Sequence, residues 1–322
     1  MMELNQGMPV LDLRSYRSED SVRRAGFVTG LGDAYREIGF VGIRGHDVNP
    51  ELIEAAYEAA WNFVALDDEV KRAYHREDLF GQRGYTPKGK EHAKGASVGD
   101  LKEFYHVGQE CSEEQQAEFG YPANVWPREV PEFHGAMVAL YRGLESLGHE
   151  MLSAILLGLS VDRAPLDEAL HCGNSILRIA HYFPIKDPDA VPAGAVRAAA
   201  HGDINLITLL VGASADGLEL LRKDGEWMPV RVDPDTIVVN VGDMLERLTN
   251  ARLCSTIHRV VNPPREKMGE ARLSMPFFMH PRASMDLSVL SACVDAEHPK
   301  QFEDITAGEF LDQRLREIGL KK

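Results

Sequence analysis

The spacing of apolar positions changes twice along the chain. Residues 8–13 form a short apolar run that predicts a strand. Over 20–38 the apolar positions Val22, Ala25, Gly26, Ala34 and Ile38 fall at helical spacing. Residues 39–43 are a continuous apolar run ending in a turn at Gly45, and predict a buried strand. Asn49-Pro50 joins a helix cap to a proline at the first helical position, so a helix is expected from there to about Phe63. Asp67 or Asp68 is a second cap. Residues 78–108 are rich in glycine, lysine and charge and have little period. A stretch of that length predicts a functional loop or lid, populated by Arg83, Tyr85, Lys90, His92, Phe104 and Tyr105. A long helical pattern returns over 130–159. From residue 175 onward the pattern turns to short β-type runs at 175–183, 204–211, 218–221, 228–232, 236–241, 255–261 and 272–278. Turn signals separate them, among them Asp216-Gly, Asp224-Gly, Asp233-Pro and Asn262-Pro-Pro. Short strands at regular spacing predict a sandwich, jelly roll or barrel. The expected fold is a mostly β core with flanking helices, its first half helical. No repeat or low-complexity linker divides the chain, and 1–322 is read as one compact unit.

Composition narrows the function classes. The chain has 322 residues, 44% hydrophobic and 26% charged, enough for a sizeable core. Its formal net charge of −15 repels phosphate backbones, so nucleic acid is not an expected partner. No apolar run reaches the ~18 residues of a membrane span. The first residues lack the basic and apolar regions of a secretory signal. Cys111, Cys172, Cys254 and Cys293 are scattered, which reads as cytosolic thiols rather than a disulfide framework or a nucleophile. A cytoplasmic location and a small-molecule substrate are expected; the oligomeric state is left open.

The chemistry lies in His201-Gly-Asp203. Residues two apart on an extended backbone point to one side, so an imidazole and a carboxylate can meet on one metal. With 12 histidines in the chain, roughly one such triplet arises by chance, and it carries little weight alone. A third ligand should come from a neighbouring strand, and His258 in Ser-Thr-Ile-His-Arg-Val-Val follows a strand and turn that bring the chain back antiparallel. Two His and one carboxylate with open positions is the usual site of non-haem Fe(II) chemistry. Strand alternation then puts Arg272 and Ser274 on one face of Ala-Arg-Leu-Ser-Met-Pro-Phe-Phe. A guanidinium inside a strand needs an anion, and the far end of a dicarboxylate cosubstrate fits it. Arg282-Ala-Ser284 repeats the form but follows His280-Pro281 and is read as loop. Asn240 and Asp243 are read as turn residues. Asn205, Tyr85, Phe104 and His280 are candidates for contact with substrate.

Taken in order, HGDINLITLL, VNVGDMLERLTN, STIHRVVNPP and ARLSMPFFMHP resemble the isopenicillin N synthase-like 2-oxoglutarate/Fe(II) dioxygenases. The openings MPVLDL and EIGFVGIRGH resemble that family too, so the likeness covers nearly the whole chain. It implies a double-stranded β-helix (jelly roll), with an N-terminal non-haem dioxygenase region at 8–125, an oxygenase core at 175–281 and a C-terminal helical segment at 282–322. It implies Fe(II) at His201, Asp203 and His258, 2-oxoglutarate held at Arg272 and Ser274, and O2 as the oxidant. The expected reaction hydroxylates or desaturates a small organic molecule and releases succinate and CO2. The chain departs from the family at one place. Relatives carry a tyrosine directly before a proline ahead of the HxD, where this chain has Phe183-Pro184, so Tyr182 is the remaining candidate for that hydroxyl. Two alternatives keep the same three ligands. One is an Fe(II) oxidase that does not use 2-oxoglutarate, like isopenicillin N synthase or aminocyclopropanecarboxylate oxidase. The other is a zinc hydrolase on a cupin-like barrel.

Overall fold

The protein is described here by a computed structural model, which covers all residues except 1, 2, 6, 91–100, 188, 190–195, 213–216, 231–232 and 322. The first strands, β1 (Glu3–Asn5), β2 (Met8–Asp12) and β3 (Phe40–Arg44), enclose helix α1 (Ser21–Glu37). Asp20 caps α1 by accepting from the amides of Val22 and Arg23. The buried stripe of α1 is Phe27, Leu31, Ala34 and Tyr35. Val22, expected on that stripe, is 78% exposed because it sits in the first turn, before the helix reaches the sheet.

Helix α2 (Pro50–Val64) starts as its sequence predicts, with the Asn49 side chain accepting from Glu51 N and proline in the first turn. The short α3 (Asp68–Arg72) follows. The expected lid at 78–108 is a correction. Its two ends are strands, β4 (Gly84–Thr86) and β5 (Lys102–Gly108), paired antiparallel at a sheet edge. Its glycine and charge obscured a β5 that is buried at every position. The centre of that stretch, with His92, lies outside the described residues. Helices α4 (Glu113–Phe119), α5 (Glu132–Gly158) and α6 (Ala164–Leu170) complete the first half.

The second half carries the remaining strands: β6 (Ile176–Tyr182), β7 (Ala198–His201), β8 (Ile207–Val211), β9 (Leu218–Leu221), β10 (Trp227–Pro229), β11 (Ile237–Val241), β12 (His258–Val260) and β13 (Arg272–Met279). Helix α7 (Asp243–Leu248) interrupts it and α8 (Ala307–Glu317) closes it. One sheet runs β1-β2-β3-β11-β8-β13-β6-β5-β4 and the other β10-β9-β12-β7. Apart from the parallel β2–β3 pair, the pairings are antiparallel. This is the jelly roll expected from the sequence. One face of the large sheet carries α1, α2 and α5 over a continuous apolar core, with Phe63, Phe133, Leu144 and Phe277 fully buried. The register of the large sheet sets the rows that matter for chemistry. Lys102 lies opposite Tyr182 and Tyr182 opposite Arg272, while Phe104, Ala180 and Ser274 form the next row and His106 pairs with Arg178.

Candidate metal centre

Two strands of the small sheet bring the histidines together. His258 of β12 is directly opposite His201 of β7, and their ring centroids are 4.5 Å apart. Asp203 lies just beyond β7. His Nδ1 or Nε2 atoms and a carboxylate oxygen of these three residues fall within 4.8 Å of one another. His258 Nε2 is 3.7 Å from Asp203 Oδ1.

Each ring is aimed by the backbone. His201 Nδ1 lies 2.7 Å from Ala199 O, and His258 Nδ1 lies 3.1 Å from Thr256 O. A carbonyl only accepts, so each Nδ1 carries the proton and each Nε2 presents a lone pair. Burial, then the neighbouring His258, pushes the His201 pKa down to about 4. The imidazole is therefore neutral, as a metal ligand must be. Burial works against ionisation of Asp203, but the two imidazoles and the hydrogen bonds from Asn240 and Thr208 outweigh it and hold the carboxyl below its ordinary value. The donor set, two neutral imidazole nitrogens and one carboxylate, fits Fe(II).

Asp203 is clamped from the large sheet. Asn240 Nδ2 donates to Oδ2 at 2.8 Å and Thr208 Oγ1 donates to the same oxygen at 2.7 Å. That leaves Oδ1 on the side of His258. Asn240 is thus a residue of strand β11 that positions a carboxylate, not a turn residue. The alternation in Ile-Val-Val-Asn-Val, with one polar side chain in an apolar strand, was the available signal. Asp243, also read as turn, opens α7. It accepts from Ser255 Oγ at 2.7 Å and pairs with Arg314 of α8 at 3.2 Å. Two glycines keep the region tight. A Cβ on Gly202 would come within 3.1 Å of Asp243 Oδ1, and one on Gly242 would collide with Asn205 O.

Beside the three residues lies a cavity of about 420 Å³. His201, Asp203 and Asn205 line it, as do Lys102, His106 and Arg178 from the large sheet and Leu311, Arg314 and Leu315 from α8. His280 lines it too, and its buried Nδ1 has no hydrogen-bond partner among the described residues. Burial pushes the His280 pKa down to about 4. Asn205 is fully buried, and its amide is spent on Ile207 O and Thr208 Oγ1, so it braces the Asp203 clamp. Tyr85 and Phe104 are not among the lining residues. Tyr85 faces the opposite side of the sheet, donating to Glu103 Oε2 at 2.5 Å against the Phe63 ring. Phe104 backs the cavity, its ring 4.4 Å from the Arg178 guanidinium.

The far end of the same face carries Arg272 and Ser274, both buried. The Arg272 guanidinium stands 5.0 Å from the Tyr182 ring. Buried Arg197 lies near it; burial and then Arg272 push the Arg197 pKa down. Arg197 Nη2 donates to Glu270 O at 2.8 Å, while its Nε has no partner among the described residues. Two guanidiniums are thus buried near one another, and a carboxylate placed there is attracted by both. Phe183 points the other way. Its ring packs on His181 and is faced by Lys71 and Lys88 on the outer side, so Tyr182 is the aromatic on the inner face. The second triplet, Arg282 and Ser284, lies off the sheet, with Arg282 bonded to Glu168 O.

No helix among the described residues is long and apolar enough to cross a membrane. Comparison with known proteins gives a consistent picture. Residues 173–281 match the model of the 2OG-Fe(II) oxygenase superfamily, and 8–129 match that of the non-haem dioxygenase in morphine synthesis N-terminal region. A proline hydroxylase, buaE, of Petromyces alliaceus is 33% identical over 95% of this chain and 97% of its own. A solved 2OG-Fe(II) oxygenase family protein from Caulobacter crescentus is 42% identical, with a TM-score of 0.85, covering 98% of this chain and all of that one. A full-length protein of Neurospora crassa, solved in complex with alpha-KG and thymine, is 26% identical with a TM-score of 0.86 over 98% of this chain and 99% of its own.

Proposed function

The chain belongs to the 2-oxoglutarate–Fe(II) oxygenase superfamily, and from that premise we propose that it oxidises a small organic molecule in the cavity beside His201, Asp203 and His258. It is a 2-oxoglutarate-dependent dioxygenase with Fe(II) as its metal. The assignment of residues is our reading. His201 and His258 hold the iron through Nε2 and Asp203 through its carboxylate. Arg272, with Ser274 and Tyr182 beside it, takes the distal carboxylate of 2-oxoglutarate, and Arg197 adds a second positive charge there. The observation that carries the assignment is the convergence of three ligand atoms, each aimed by its own hydrogen bonds, with His201 and Asp203 also lining the cavity.

When bound, the iron supplies activation of O2 coupled to decarboxylation of 2-oxoglutarate. The chain's own residues supply the rest. Ala199 O and Thr256 O keep Nδ1 of the two histidines protonated, so neither ring can turn its other nitrogen away. Asn240 and Thr208 hold one oxygen of Asp203 so that the other is presented. The apolar walls from α8 exclude water, which protects a reactive centre from side reactions. The relatives named above act on or bind proline or thymine, which suits a small substrate here as well. Oxygen uptake by the iron-loaded protein, measured with and without 2-oxoglutarate, tests the reading. Uptake that depends on 2-oxoglutarate and yields succinate is expected. Uptake indifferent to it would sink the assignment of Arg272.

A further inference from the structure

The charged groups that line the cavity are engaged by the chain itself. Asp243 is bound to Ser255 Oγ and Arg314, Glu317 to Arg314 at 2.7 Å, and Glu246 accepts from Ser255 N at 2.9 Å. On the large-sheet wall, Lys102 and Arg178 both interact with other groups of the chain, and Arg178 Nε donates to His106 Nε2 at 2.7 Å. Two uncharged side chains differ. His280 Nδ1 and Gln82 Oε1 are buried without a hydrogen-bond partner among the described residues, and both residues line the cavity. Arg314 Nε shares that state, but the other two nitrogens of its guanidinium already hold Asp243 and Glu317.

The backbone fixes where both residues stand. His280, 6% exposed, follows β13. Its N donates to Ser175 Oγ at 3.1 Å, and its carbonyl accepts from the same hydroxyl at 3.3 Å. A Cβ on Gly173 would come within 2.3 Å of that carbonyl, so glycine is required beside it. Gln82 leaves a turn made by two left-handed residues, Phe80 (φ 49°) and Gly81 (φ 72°). Gly81 O lies 2.5 Å from His106 Nδ1, and Gln82 N donates to Leu79 O at 2.8 Å. Asn174 ties the two segments together. Its N donates to Pro281 O at 3.2 Å, and its Oδ1 accepts from Arg83 Nη2 at 3.3 Å. The chain neighbours of His280 and Gln82 thus share one anchor. In His106, His201 and His258 a backbone carbonyl pins Nδ1. The His280 ring has no such pin among the described residues, and burial keeps it neutral. It can therefore offer a donor or an acceptor, according to its tautomer.

We propose that the oxidised substrate is an uncharged molecule with a carboxamide or lactam head and an apolar body, and that Gln82 and His280 select it by that head. This rests on the reading of the cavity as the substrate site. A carboxamide is the complement of glutamine's own amide, with an N–H for its oxygen and a C=O for its nitrogen. A carboxylate or ketone head brings acceptors alone and leaves Gln82 Oε1 unpaired. Sites that hydrogen-bond a substrate N–H discriminate strongly against analogues lacking it, because a buried protein group is then left without a partner. The apolar body lies against Ile204, Ile257, Phe278, Leu311 and Leu315, which line the same cavity. The volume of about 420 Å³ suits a molecule of drug-fragment size.

The test is calorimetric titration of the chain, loaded anaerobically with Fe(II) and 2-oxoglutarate, with four probes of similar shape: 4-phenylbutyramide, 5-phenylpentan-2-one, 4-phenylbutyrate and 4-phenylbutylamine. The amide should bind about tenfold more tightly than each of the others, the effect of one buried group left unpaired. Gln82→Leu and His280→Phe should each weaken the amide by about the same factor and leave the ketone nearly unmoved, a change of selectivity that a merely structural role would not produce. His280→Gln, which keeps a donor and an acceptor, should recover part of the loss. A ketone, acid or amine that binds as tightly as the amide, binding of none, or an amide affinity unmoved in either variant would overturn the proposal. Should the variants fail to fold, the order of the four probes on the wild-type chain decides. Iron content and succinate formation are read on the same preparation. A chain that prefers the amide but neither binds iron nor consumes 2-oxoglutarate refutes the function and not the substrate class. A chain that does both and prefers another head refutes the substrate class alone.

Discussion

Replacing Asn240 by alanine isolates the positioning of a ligand from the ligand itself. Asn240 is not among the residues that line the cavity. It donates to Asp203 Oδ2 at 2.8 Å, and Thr208 donates to the same oxygen at 2.7 Å. A hydrogen bond to a charged group contributes about 1.5–3 kcal/mol. Losing one of two should weaken iron binding by roughly 10- to 100-fold, the range usual for groups that orient a metal ligand. The Asp203 carboxyl should also regain protons at a higher pH, since one of the interactions lowering its pKa is gone. Competition against a chromophoric chelator gives the Fe(II) dissociation constant directly. Asn240→Ala and Thr208→Val should each weaken binding, and the double variant should lose more than either. Activity should return at saturating iron, because the three ligands remain. An unchanged iron affinity in Asn240→Ala would refute the clamp, and so would a loss of activity that iron does not restore.

Other predictions address the rest of the molecule. Arg272→Gln should raise the KM for 2-oxoglutarate at least tenfold in succinate-release assays, and Arg197→Gln should raise it by a smaller factor. The metal-free protein should lose stability as pH falls from about 6.5 toward 4. In that window the unfolded chain protonates His201 and His280 while the folded chain, which holds both at about 4, does not. At ~1.36 kcal/mol per unit, up to about 3 kcal/mol each is lost, read as the urea midpoint against pH. On the outer face of the large sheet, Lys71 and Glu103 form a buried pair at 2.9 Å, with Tyr85 and His181 also on Glu103. Lys71→Met leaves that carboxylate without its cation and should cost about 3–5 kcal/mol in denaturant unfolding, with the iron affinity unmoved.

The parts of this structure that were legible in the sequence carried a local signal. Short apolar runs set off by turn residues exposed β6, β8, β11 and β13, and alternation within the last put Arg272 and Ser274 on one face. The cap Asn49 and the proline after it gave the start of α2. The two histidines and Asp203 were legible only through their order along the chain, since a lone HxD occurs by chance. What escaped was governed by tertiary contact. β5 is buried through pairing with β6, which overrode the local glycine and charge around it, so Tyr85 and Phe104 were expected in a lid. Tyr85 instead faces Glu103, and Phe104 backs Arg178. Asn240 looked like turn chemistry because it precedes Val-Gly-Asp, yet it is the last but one residue of a central strand. The role of α8 in walling the cavity had a signal, the apolar spacing of Leu311, Leu315 and Ile318, but nothing local says what that face covers.

The claim on which the rest depends is that His201, Asp203 and His258 together hold one Fe(II) that consumes 2-oxoglutarate. Iron content and succinate formation should be measured on the same anaerobically loaded samples of wild type and Asp203→Ala, with circular dichroism to establish that the variant is folded. About one iron per wild-type chain is expected, with succinate formed as 2-oxoglutarate disappears, and neither in the variant. Succinate release at the wild-type rate from folded Asp203→Ala would contradict it.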